Sequence, residues 1–148
     1  MRATRLTEDG STLLLVFETG DEVVAAMTAH VREHAITAAR FTAVGGFSTA
    51  VVGWLDWERK DYRPIPIDEQ TEVLSLTGDV ALQDDEPVVH AHVVLGKADG
   101  TAHGGHLLEG HVRPTVELVL DLSPAHLRKR IDPESRQALI DPGLSDGA

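Results

Sequence analysis

An α+β fold is predicted for this chain: a mostly antiparallel β-sheet with one main packed α-helix. Three observations lead there. Only one stretch, residues 21–36, repeats its apolar side chains at helical spacing. Short apolar and alternating runs fill most of residues 40–121. Turn signals separate those runs, among them Asp9-Gly10 and Asp99-Gly100. The 148 residues are enough for one domain with a core of its own.

In order along the chain, residues 2–8 and 11–18 read as strands joined at Asp9-Gly10. Residues 13–17 are continuously apolar, as in a strand covered on both faces. Asp21 is the expected N-cap of the helix. Val23, Met27 and Val31 recur every fourth residue, with Glu22, Arg32, Glu33 and His34 on the polar side, over about four turns ending near Ile36. Residues 41–44 form a strand expected to stop at Gly45-Gly46, and residues 48–57 form another. Pro64 and Pro66 place residues 62–67 at an edge. Residues 72–82 read as a strand interrupted by Gly78, and residues 88–95 as the next. Gly104-Gly105 leads into residues 107–112, and residues 115–121 make the final strand. From Pro124 onward the chain reads as an extended tail, residues 124–148, with Arg128-Lys129-Arg130 as a solvated basic patch.

Composition removes several function classes. Thirteen Lys and Arg against 24 Asp and Glu give a net charge of −11, which opposes nucleic-acid binding through phosphate neutralisation alone. With no cysteine, disulfides, thiolate metal sites and cysteine nucleophiles are out. The early apolar run is far short of the ~20 residues that span a bilayer, and residues 1–10 lack a signal core, so a cytoplasmic protein away from membranes is expected. The glycine pairs precede neither Lys-Ser/Thr nor a helix, and no Gly-x-Ser-x-Gly elbow occurs. Trp54, Trp57 and Tyr62 lie among Arg59, Lys60 and Arg63, a grouping that suits subunit contact better than base stacking.

The oddity is histidine. Five of the eight histidines lie between His90 and His111. In a strand, residues two apart share a face, about 6.5–7 Å from one another. His90 and His92 therefore point one way while Val89, Ala91, Val93 and Leu95 point into the core. Such a pair is either a hydrogen-bonded surface feature or two ligands of one ion. A third imidazole is available from His103, His106 or His111, and His106 follows two glycines that admit close approach. Three neutral imidazoles suit zinc or a similar divalent metal and leave a fourth position open. A cupin is rejected because no Glu follows His92 at the required spacing. Glu72, Glu109 and Glu117 stand on apolar strands; any that points inward needs a partner. Glu109 and Glu117 are the candidate bases should the metal be catalytic.

Several motifs in order resemble one family. They are Val44-Gly45-Gly46-Phe47-Ser48-Thr49-Ala50, Glu72-Val73-Leu74-Ser75-Leu76-Thr77-Gly78, Pro87-x-x-His90-x-His92, Asp99-Gly100-x-x-x-Gly104-Gly105-His106-Leu107, Glu109-Gly110 and Thr115-x-Glu117. Together they resemble the PPC ("plants and prokaryotes conserved") domain over residues 1–123. The resemblance implies a homotrimer and a metal held by His90, His92 and His106, with His103 and His111 off the pattern. Gly45, Gly46, Gly104 and Gly105 are expected to let strands approach at a subunit contact or the metal pocket, and Glu72 joins Gly104 and Gly105 as a candidate ligand or interface residue. The resemblance also carries a DNA-binding label, although this chain lacks the Arg-Gly-Arg-Pro type AT-hook that serves DNA in plant members. One helix cannot cover about seven strands, which agrees with a trimer that buries the other face.

Overall fold

The computed structural model describes residues 1–145; residues 146–148 of the expected tail lie outside the described residues. Strand β1 (Arg2–Arg5) pairs with β2 (Thr12–Glu18) across a loop longer than the predicted two-residue turn. Asp9 organises that loop, its Oδ1 accepting from Ser11 N and Ser11 Oγ. Helix α1 (Val23–Glu33) is three turns long and buries Val23, Met27 and Val31 in the expected stripe, together with His30.

The helix cap is Glu22, not Asp21. The Glu22 carboxylate accepts from Val24 N at 3.1 Å and Ala25 N at 2.7 Å, and also from Gly110 N at 2.9 Å. Asp21 is spent elsewhere, accepting from Glu18 N and pairing with the N-terminal amine, both at 2.9 Å. Glu22 thus joins the helix start to a distant strand. Glu22→Ala is expected to cost about 1–2 kcal/mol in urea unfolding, and Glu22→Gln clearly less.

The remaining strands are β3 (Ala39–Asp56), β4 (Asp61–Ile67), β5 (Thr71–Gln83), β6 (Glu86–Gly96) and β7 (Ala102–Leu122). Their order is β1-β2-β7-β6-β5-β3-β4, and β7 also pairs with β3, so β3, β5, β6 and β7 close into a ring. β3 and β7 were each expected as two strands. In β3 the register shifts between Ala43 and Gly45, so the glycines bend the strand rather than end it. A Cβ on Gly45 would meet the Thr115 carbonyl oxygen, and one on Gly46 would meet that of Arg113, contacts only glycine avoids. β7 runs on through Pro114, which falls where the β3 ladder skips from Val116 to Val112 and no donor is needed. Gly78 likewise interrupts nothing: it faces Phe41, whose ring and the His90 carbonyl occupy the space of a Cβ. β4 pairs only with β3, as its prolines require. The tight turn at Asp84 and Asp85 has both residues at positive φ, 52° and 65°.

Leu15, Phe17, Phe47, Leu76, Leu118 and Leu120 fill the core under α1, all fully buried. The chain after Pro124 is not a plain extended arm. β8 (Lys129–Ile131) and β9 (Ala138–Ile140) pair as a hairpin. Leu127 O accepts from Leu82 N at 2.7 Å, which ties the hairpin to β5. Of the basic patch only Lys129 is withdrawn from solvent, its side chain 5% exposed and paired with Asp79; Arg128 and Arg130 stay at the surface and pair with Asp85 and Asp141. These partners are distant in sequence or set by the hairpin, so composition could not show them.

Candidate metal centre

β6 alternates as predicted. Ala91, Val93 and Leu95 are buried, and His90 and His92 turn to the opposite face. Strand register brings in the third ring, since His92 is paired with His106 on β7. Ring centroids are 5.1 Å apart for His90–His92 and His90–His106, and 5.5 Å for His92–His106. One ring nitrogen from each residue falls within 4.8 Å of the others. The glycine pair makes this convergence possible. A Cβ on Gly104 would stand 2.6 Å from the Val93 carbonyl oxygen, and a Cβ on Gly105 2.6 Å from that of Gly53. β7 therefore lies close between β6 and β3 just before His106. Tyr62 of β4 stacks on the His106 ring at 4.4 Å and holds it from the other side.

Two of the rings, His106 and His92, are held towards the neutral form. Burial, then the neighbouring His90 and His92, lower the pKa of His106 to about 4. Burial, then His90, also lowers that of His92. His106 Nδ1 is buried with no hydrogen-bond partner among the described residues. A buried polar atom left so costs about 1–3 kcal/mol, which coordination to a cation relieves. The donor set and this orphaned nitrogen fit a divalent metal. The rings open onto a cleft of about 560 Å³ whose walls include Leu55, Trp57, Val88 and Leu139.

A pH dependence follows for the metal-free protein. A histidine whose folded pKa is depressed binds its proton better when unfolded. Between the ordinary value of 6.5 and about 4 the unfolded chain carries more protons at His106, so stability falls as pH drops through that window. The expected result is a stability difference between wild type and His106→Asn that shrinks on acidification from pH 6.5 to 4. A difference independent of pH there would contradict it.

The sequence pattern of the Plants and Prokaryotes Conserved (PCC) domain matches residues 5–122. This chain belongs to that family. Among solved structures, the metal-containing protein of Archaeoglobus fulgidus is 35% identical, with a TM-score of 0.80 over 88% of this chain and 92% of that one. A plant- and prokaryote-conserved (PPC) protein of Pyrococcus horikoshii is 32% identical, with a TM-score of 0.81 over 88% and 90%. A protein of Ralstonia eutropha JMP134, named as a proposed DNA-binding protein, is 28% identical, with a TM-score of 0.82 over 87% and 90%. No curated protein matches.

Within this PCC domain the structure separates the predicted site residues. His90, His92 and His106 meet; His103 pairs with Leu95 near the β6–β7 turn and His111 with Thr49, away from the cluster. Glu72, Glu109 and Glu117 are all exposed and none lines the cleft, so none needs a buried partner. Gly104 and Gly105 act through the space they leave. Trp54 and Trp57 are exposed, with Arg63 and Lys60 over their rings, and Trp57 also forms part of the cleft rim. Sequence reasoning missed Asp79, which contacts His90, and Lys129, Ser135 and Gln137 on the cleft wall. Asp79 and His90 are cross-strand partners, a relation visible only once the Asp84-Asp85 turn fixes the register.

Proposed function

We propose that this PCC-domain protein binds one divalent metal per subunit through His90, His92 and His106 and assembles as a homotrimer. The observation that carries the metal is the convergence of three ring nitrogens within 4.8 Å on two neighbouring strands. An all-imidazole set selects zinc or a similar transition metal over magnesium and calcium, which take oxygen ligands. Three side-chain ligands leave a position for water or a small ligand, and the cleft has room for one. When bound, such a metal lowers the pKa of its water towards ~7.

Glu109 and Glu117 stand outside the cleft, and the carboxylate on its wall, Asp132, is engaged as acceptor for Ser135 N at 2.7 Å. A structural or sensory metal is therefore the reading this site supports best. The trimer is supported by the sheet face turned away from α1, where Val44, Leu74 and Val94 are 57%, 55% and 42% exposed. Duplex DNA as partner rests on the name of a relative, and the charge of −11 opposes it. No helix of the described residues is long and apolar enough to cross a membrane.

Elemental analysis beside the mass in solution tests both parts. The expected result is one metal per chain in a particle of three times 16.0 kDa. Metal-free protein would remove the first part and a monomer the second. Retardation of duplex DNA at low salt would reopen the DNA reading.

A further inference from the structure

Asp79 lies directly across from His90 in the β5–β6 ladder. Its Oδ2 is 3.0 Å from His90 Nδ1, and its Oδ1 is 3.0 Å from Nζ of Lys129. An ionised carboxylate only accepts, so Nδ1 carries the proton, and in the neutral imidazole Nε2 is then the nitrogen with the lone pair. Lys129 comes from β8, in the hairpin beyond the family match of residues 5–122, and its side chain is only 5% exposed. The hairpin is pinned by the Leu82–Leu127 backbone bond and the Arg128–Asp85 pair.

We propose that Asp79 is a positioning residue for His90 and that Lys129 holds it in place, so the C-terminal hairpin completes the metal centre. This rests on the metal reading above. The His90 side chain is 40% exposed, and packing alone does not dictate its ring orientation. The bond from Nδ1 to Asp79 selects one orientation and one tautomer, the arrangement that prepares an imidazole for a metal. Lys129, occupying the other oxygen, keeps the carboxylate from swinging into the cleft. In Asp79→Asn the ammonium would claim the amide oxygen, turning the amide NH₂ towards His90 and favouring the opposite tautomer.

The test starts with ¹⁵N NMR of the metal-free wild type. The proton of His90 is expected on Nδ1; a proton on Nε2 overturns the proposal without any variant. Zinc titration then compares variants whose fold is checked by circular dichroism. Asp79→Asn is expected to bind zinc about 10–100-fold more weakly, the usual effect of losing such a partner. Lys129→Arg should keep wild-type affinity and Lys129→Met should lose part of it. Equal affinity in wild type and Asp79→Asn sinks this inference while leaving the metal reading intact. A wild type that takes up no zinc ends both. Tighter binding in Lys129→Met would show that the ammonium only repels the cation and would remove the hairpin from the site.

Discussion

His106→Ala is expected to lower affinity for a divalent cation by more than ~100-fold, beyond the loss typical of an outer partner. Its ring is the one ligand supplied by β7, and without it the site reduces to two imidazoles from β6. It is also the ring most strongly held neutral, with a pKa of about 4, so little proton competition protects against metal uptake at neutral pH. Alanine substitutions of His90 and His92 should act in the same direction. Those of His103 and His111, which are outside the cluster, should leave metal content unchanged. Competition against a chromophoric chelator measures all five. Full metal content in any of the first three would remove that residue from the ligand set.

Gly105→Ala is expected to destabilise the protein by about 3 kcal/mol and to weaken metal binding together with it. The new methyl would start 2.6 Å from the Gly53 carbonyl oxygen and 3.5 Å from Val52 Cβ, and both belong to the paired strand β3. Backbone on the facing strand cannot rotate aside as a flexible side chain can, so β7 must shift away from β3. His106 is the next residue and would move with it. For a chain of this size the loss corresponds to a fall of roughly 6–12 °C in melting temperature. Gly100→Ala is a useful contrast: no atom stands within 4 Å of its Cβ, and its cost should come from backbone conformation alone, at φ +81°. A Gly105→Ala protein with wild-type melting and metal affinity would show that the strands have slack at this point.

Much of this architecture was legible from local pattern. The stripe of Val23, Met27 and Val31 located the helix, and the prolines at 64 and 66 identified an edge strand. The alternation around His90 and His92 identified which side faces the core. The errors share a cause. Gly45-Gly46, Gly78 and Pro114 look like strand breakers, yet each sits where a neighbouring strand presses close or the ladder skips a residue. Asp21 looks like the cap by residue type, but Glu22 reaches both the helix amides and Gly110. Lys129 looks solvated like its neighbours Arg128 and Arg130 because its partner Asp79 is far away in sequence.

By itself the sequence determined the secondary-structure types, the inward and outward sides of β6, and a metal chemistry restricted to His, Asp and Glu by the absence of cysteine. Those follow from composition and from periods of two and 3.6 residues, which are properties of neighbours along the chain. The spacing left His103, His106 and His111 open and the family resemblance named His106; the tertiary structure brings that ring to the pair, and it alone decided that Asp79 and Lys129 stand behind His90. Strand register sets those meetings. It depends on turns and bulges whose effect on pairing is felt many residues away, and shifting a strand by one residue turns every side chain to the other face.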